Sequence, residues 1–365
     1  MTGIQDQRLS DIGQQVSNNQ RISLEDAAYL YDHAGLGYLS RLACIAKERH
    51  SGRKVFFNRN FHIEPTNVCV NHCRFCSYSR EIGQPGAWEM SMDEIIQKVN
   101  DFKHLDVTEI HIVGGVHPQR DLAYYEELLV QIKKANPKVR IKAFTAVELD
   151  FMFRKSNVSV IEGLSRLHAA GLDSIPGGGA EIFDEAIRSR ICPDKTGSST
   201  WLAIHESAHQ LGIPTSCTLL YGHLEKFEHR IDHMHRLRQL QDRTGGFQVF
   251  IPLKFRKENN ELGILGEVSI IEDLRNFAIS RIFLDNIPHL KAYWPMIGKD
   301  IAALSLSFGV DDLDGTIEDT TRIYSMAGAE EQNPVMTTEG LVTLIRNSGF
   351  EPVERDTLYN TLKIY

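Results

Sequence analysis

The stretch FHIEPTNVCVNHCRFC, residues 61–76, sets a short strand directly ahead of three closely spaced cysteines. FHIEPT (61–66) alternates apolar and polar residues and stops on a proline, as a β-strand running into a turn does. Seven later stretches repeat the theme: TEIHIVGG (108–115), VRIKAFT (139–145), DSIPGG (173–178), PTSCTLLYG (214–222), GFQVFIPLK (246–254), HLKAYW (289–294) and LSLSFG (304–309). Between them lie amphipathic helical stretches with recognisable ends. Ser91–Met–Asp–Glu94 forms a capping box ahead of IIQKV, and Gly171 and Gly212 stop helices just before the next strand. Eight strand–helix alternations predict an α/β protein built as a (β/α)8 TIM-type barrel, with an open doubly wound sheet as the other arrangement the pattern allows.

Outside the repeats, Ser23–Leu–Glu–Asp26 opens one helix and residues 37–48 look like another, giving an N-terminal helical extension over residues 1–60. The barrel is expected over residues 61–310. After Gly309 the acidic stretch VDDLDGTIEDTT leads to a helix near 338–347, so residues 311–365 are expected to form a short, mainly helical C-terminal segment packed on the barrel.

Composition bounds the function. Of 365 residues, 42% are hydrophobic and 24% charged, which is ordinary for a globular chain, and no apolar run is long enough to span a bilayer. The start MTGIQDQRLSDIGQQ has neither the basic patch nor the apolar stretch of a secretory signal, so a cytoplasmic location is expected. A net charge of −8 opposes binding to nucleic acid or to an anionic membrane, and a small-molecule substrate is expected instead. Of the six cysteines, Cys44, Cys192 and Cys217 stand alone in apolar stretches and read as buried small hydrophobes.

Cys69, Cys73 and Cys76 are different. Three thiolates at C-x3-C-x2-C spacing can wrap a sulfur-loving cluster, and with no fourth cysteine nearby one iron of a cube is left open to a substrate. The alternative is a Cys3His zinc site using His72. Ligands adjacent in sequence, as His72 and Cys73 would be, rarely project toward one ion, and structural zinc sites usually draw on two separated pairs. A second metal pattern, His205–Glu206–Ser–Ala–His209, matches H-E-x-x-H, the helical zinc motif of metalloproteases. A third histidine in the extended form of that motif would fall at Thr215, and Glu228 lies on a separate expected helix. The segment is expected to be an outer crossover helix of the barrel, away from the catalytic face.

C-x3-C-x-[aromatic]-C with Phe75, in the loop after the first strand, is the signature of the radical S-adenosylmethionine (SAM) superfamily, and the chain is identified as a member. NFHIEPTNVC, NHCRFCSYSR, PGGGAEIFDEAIRSRICPDK, LYGHLEKFEHRIDHM, GGFQVFIPLKF and YNTLKIY together resemble the aminofutalosine synthase family of the futalosine route to menaquinone, over nearly the whole chain from about residue 22. Some of these blocks are shared with two sister families, the dehypoxanthine futalosine cyclases and the synthases of the deazaflavin F0.

The resemblance implies a [4Fe–4S] cluster on Cys69, Cys73 and Cys76 and SAM as co-substrate. It further implies a one-electron donor such as flavodoxin or ferredoxin, and addition of the 5′-deoxyadenosyl radical to 3-[(1-carboxyvinyl)oxy]benzoate to give 6-amino-6-deoxyfutalosine. By position it places Tyr78 beside the adenine and Gly114–Gly115 at the methionyl amine, with Val116 where an acidic residue is usual. Glu148 is a candidate for the ribose hydroxyls, or else a helix N-terminal acid favoured by the dipole. Pro176–Gly177–Gly178–Gly179 offers backbone to a ligand or simply makes a sharp turn. His223, Lys254 and Trp294 follow the fifth, sixth and seventh strands on the same face, with a loop histidine, a surface cation and a core aromatic as their plain alternatives. Lys254 and Arg281 are the candidates for binding substrate carboxylates, or are ordinary cations.

Overall fold

The computed structural model describes residues 6–318, 322–332 and 334–365. Its strands are β1 (Lys54–Phe57), β2 (Asn60–Ile63), β3 (Glu109–Ile112), β4 (Arg140–Ala143), β5 (Thr215–Tyr221), β6 (Phe247–Lys254), β7 (His289–Ala292), β8 (Asp312–Leu313), β9 (Thr316–Glu318), β10 (Glu351–Arg355) and β11 (Thr361–Ile364). Parallel pairing runs from β2 to β3 to β4. Two single bridges, Lys142↔Ser174 and Ile175↔Thr215, carry it on to β5. It continues through β6 and β7 to β8. Two residues after β8, β9 pairs in parallel with β2. The ring therefore closes, and its eighth member is the broken strand 312–318. Gly315 sits at the break because a Cβ there would lie 1.4 Å from the Asn58 carbonyl oxygen. Every residue of β5 is buried, as a parallel strand covered on both faces requires.

Seven of the expected strand positions match a strand or bridge, although DSIPGG contributes only the two bridges at Ser174 and Ile175. LSLSFG (304–309) is not the eighth strand. It is the end of helix Lys299–Ser305 followed by a 3-10 turn, Leu306–Phe308, and closed by Gly309 at φ 92°. The real eighth strand begins in the acidic stretch, whose carboxylates face buried cations. Asp311 lies 3.1 Å from Arg281, Asp312 2.7 Å from Arg355, and Asp314 2.9 Å from Lys291. A charge is taken out of water only where a partner meets it.

The two ends of the chain also differ from expectation. Residues 1–60 hold three helices among the described residues, Gln7–Ser17, Leu24–His33 and Leu36–Ser51, but then add β1. That strand lies between β10 and β8, so the C-terminal hairpin β10–β11 extends a sheet off the barrel. The C-terminal segment thus holds, among its described residues, two helices, Arg322–Met326 and Thr338–Asn347, plus a hairpin and a barrel strand rather than a helical tail. Thr357 donates to Glu109, the first residue of β3, at 2.7 Å, and Arg59 to Glu354 at 2.7 Å. These contacts put the added sheet at the end where the barrel strands begin, leaving the opposite end open. Among the described residues no helix is long and apolar enough to cross a membrane.

Candidate active site

The loop after β2 is held at both ends by backbone pairing. Cys69 N–H donates to the Arg80 carbonyl at 3.0 Å, Arg80 N–H to the Asn67 carbonyl at 2.9 Å, and Val70 N–H to the Val116 carbonyl at 3.0 Å. Its central fastening is Asn67, which is fully buried. The Asn67 amide donates to the carbonyls of Gly86 at 2.9 Å and Tyr78 at 3.3 Å and accepts the Trp88 N–H at 2.8 Å. The loop presents Cys69, Cys73 and Cys76 to one cavity of about 290 Å³ at the open end of the barrel. All three are free thiols. Burial pushes the Cys69 and Cys73 thiols above the ordinary cysteine range.

Among the described residues no three His, Cys, Asp or Glu side chains converge on a single ion. Three thiols on one loop with no fourth cysteine beside them in the cavity suit a cube, in which each thiolate takes its own corner iron and one iron is left open. His72 is two-thirds exposed and turned outward to Asp194 and Glu81, at 3.1 and 3.6 Å, so it does not join the thiols.

Tyr78, Gly114 and Gly115 line the same cavity. The Tyr78 hydroxyl donates to the Thr66 carbonyl at 3.1 Å and its ring packs edge-on to Trp88. Gly115 has a steric reason of its own, because a Cβ would fall 2.2 Å from the Val68 carbonyl oxygen. Its N–H already donates to Thr66 at 2.8 Å.

Glu148 does not line the cavity. It is the third residue of helix Ala146–Ser156 and completes a buried capping box, accepting from the Thr145 N–H at 2.7 Å and hydroxyl at 2.8 Å. Burial raises its pKa to about 7 against the pull of those donors and of the Gly114 N–H. The helix-terminal reading of Glu148 is the one the structure supports, and a ribose role is not.

An acid that does face the cavity beside the thiols is Glu181, which sequence reasoning missed. It stands at φ 46°, and Lys195 donates to it at 2.5 Å. Burial works against the Lys195 ammonium, but the Cys73 thiol and Glu181 beside it hold its pKa above the ordinary lysine value. The loop carrying Glu181 is fixed by buried Arg188, which donates to the carbonyls of Gly179, Ala180, Ile182 and Thr196. Gly177, Gly178 and Gly179 line the cavity too.

Of the two candidate carboxylate binders, Lys254 reaches the cavity, with Asp273 behind it at 2.8 Å. Arg281 does not. It is buried in an outer helix, Ile270–Phe283, with its donors on the carbonyls of Gly309, Ile287 and Pro288 and on Asp311. His223 and Trp294 also stay out of the cavity. His223 contacts the Leu220 carbonyl and Glu225, and Trp294 donates to the Asp314 carbonyl at 2.6 Å.

The H-E-x-x-H segment lies on helix Ser198–Gln210, away from the cavity. Thr215, where a third ligand would stand, bridges both histidines. Its hydroxyl lies 2.9 Å from His205 Nδ1 and 2.8 Å from His209 Nε2. Burial keeps both imidazoles neutral, and Glu206 turns to Arg243 at 3.3 Å. This is a packed structural triad.

Comparison with known proteins agrees with this geometry. Residues 63–237 match the radical SAM superfamily, and residues 244–365 match the CofH/MqnC C-terminal region. An aminodeoxyfutalosine synthase of Thermus thermophilus is 42% identical over 369 residues, covering 100% of this chain and 99% of the relative. A cyclic dehypoxanthine futalosine synthase of Streptomyces coelicolor is 38% identical, covering 94% of this chain and 86% of its own. The crystal structure of methylornithine synthase shares the fold, with a TM-score of 0.75 at 16% identity over 93% of this chain and 97% of that one. A [4Fe–4S] cluster and SAM come with the family. The chain belongs to the radical SAM superfamily, in the group that contains the aminodeoxyfutalosine synthases.

Proposed function

We propose that the chain joins the 5′-deoxyadenosyl group of SAM to 3-[(1-carboxyvinyl)oxy]benzoate, forming 6-amino-6-deoxyfutalosine for menaquinone biosynthesis. The observation that carries this reading is the relation to aminodeoxyfutalosine synthase over the full length of both chains. Cys69, Cys73 and Cys76 would hold the cluster, which when bound would supply the electron for reductive cleavage of SAM. The donor of that electron is a flavodoxin or ferredoxin in the cytoplasm.

The chain's own residues position the partners and exclude water. The Gly115 N–H is already engaged by the Thr66 carbonyl, and any contact Gly114 or Gly115 makes to the methionyl ammonium is through carbonyl oxygens, the acceptors an ammonium needs. Lys195 and Glu181, a buried pair on the cavity wall, are charge-matched to the methionyl carboxylate and ammonium. Tyr78 closes the cavity on the adenine side. Lys254 sits at the last residue of β6, near the mouth, where it can meet the carboxylate next to the vinyl group.

The test is incubation of the reconstituted enzyme with reductant, SAM labelled at the 5′ carbon and the enol-ether substrate. The label is expected in a benzoate–adenosine adduct. Release of the label as free 5′-deoxyadenosine, with a cyclised or dehydrogenated product, would instead assign the sister cyclase reaction.

A further inference from the structure

The cavity continues below the thiols into the barrel. Its lower lining includes His62 on β2, His111 on β3, Lys142 on β4 and Lys291 on β7. The first three form one row across adjacent parallel strands, since His62 pairs with His111 and His111 with Lys142 in register. The same register step puts their side chains on one face, the barrel interior.

Each nearby acid is already met by a donor besides these lysines. Glu109 accepts from Thr357 at 2.7 Å, Asp312 from Arg355 at 2.8 Å, and Asp314 from Asn60 at 3.4 Å. The lysines have capacity beyond these acids. Lys142 lies 3.0 Å from Glu109, and Lys291 lies 2.9 and 3.6 Å from Asp314 and Asp312, whereas an ammonium carries three donors. His111 is the clearest mark of an incomplete site, because its Nε2 is buried without a hydrogen-bond partner. Buried polar atoms are rarely left so unless something else completes them.

We propose that His111, Lys142 and Lys291 form the floor that binds the ring carboxylate of the aryl substrate. This inference rests on the reaction proposed above and adds the substrate's orientation. The thiols at the mouth require the vinyl carbon to point upward, so the carboxylate meta to the ether oxygen points down the barrel. A carboxylate enters such a depth only where donors replace its water. The floor offers two ammonium groups and one imidazole N–H.

The experiment measures binding to the reconstituted holoenzyme by calorimetry, which does not depend on turnover. The probes are 3-(carboxymethoxy)benzoate, which has no vinyl group to react, and 3-(carboxymethoxy)benzamide, in which the ring carboxylate is neutralised. The parent is expected to bind the benzoate at least about tenfold more tightly, the worth of one charge-assisted contact. In His111→Phe, which leaves no buried charge unpaired, most of that preference is expected to vanish while benzamide binding stays within about threefold. The double variant Lys142→Met/Glu109→Gln, which removes a cation and its acid together, should do the same. Unchanged preference in both variants overturns the floor, even if the labelled adduct still forms. If the parent binds neither probe and forms no adduct, the proposed reaction falls together with the floor.

Discussion

Asn67 should govern whether the cysteine loop holds its shape, and Asn67→Ala tests this. The substitution removes three hydrogen bonds of 2.8, 2.9 and 3.3 Å and leaves the Trp88 N–H and two carbonyls without that partner. At about 1 kcal/mol for each bond, the loss is roughly 3 kcal/mol. Unfolding entropy of about 2 cal/mol/K per residue over 365 residues turns this into a fall in Tm of about 4 °C. Asn67→Asp should be worse than Ala. It keeps an acceptor for the Trp88 N–H but aims a carboxylate oxygen, in place of the NH2, at two carbonyl oxygens in a buried site. Thermal unfolding of the apoprotein gives the ordering, and iron counts after anaerobic reconstitution show whether the thiols still assemble a cluster. An Asp variant as stable as the parent, or an Ala variant with full Tm and full iron, would refute the fastening role.

Two further outcomes are expected. Cys69→Ala, Cys73→Ala and Cys76→Ala should each lose the cluster and SAM cleavage, while Cys44→Ala, Cys192→Ala and Cys217→Ala keep both, read as iron and sulfide per chain. Glu148 should make stability fall with rising pH. Its folded pKa, about 7, lies above its ordinary value of 4.5, so the folded state holds the proton longer and a penalty of about 3 kcal/mol grows in between those values. Glu148→Gln should match the parent near pH 4.5 and exceed its Tm at pH 8, and a lower Tm at pH 8 would show a stabilised carboxylate instead.

Strand–helix alternation was enough to predict a barrel, since period-2 apolar runs and helix stops are local signals. The eighth strand was not legible for a physical reason. Leu304, Leu306 and Phe308 alternate like a strand, yet they end a helix, while the true strand opens with acids that read as surface. Asp311, Asp312 and Asp314 are buried only because Arg281, Arg355 and Lys291 reach them from 30, 43 and 23 residues away. No local pattern announces a pairing at that range. The strand β1 is similar: KVFF is short, and its partners β8 and β10 lie at the far end of the chain.

The site divides along the same line. The cysteines were legible because their chemistry is carried by spacing within one loop. Glu148 and Arg281 were misplaced because a carboxylate after a strand, or an arginine on a helix, has the same local signature whether it faces ligand or caps and cements the fold. What separates them is where their hydrogen-bond partners lie. Glu148 is bonded by Thr145 three residues before it, and Arg281 by carbonyls of the loops it seals, and neither lines the cavity. His111 is the converse case. In sequence it is a polar residue inside TEIHIVGG, of the kind that alternation assigns to solvent. In a closed barrel the inward face is also reached at every second residue, and the polar side chain is turned toward the cavity instead. On the same strand Glu109, two residues earlier, is answered by Thr357 and Lys142, whereas His111 Nε2 is left without a hydrogen-bond partner.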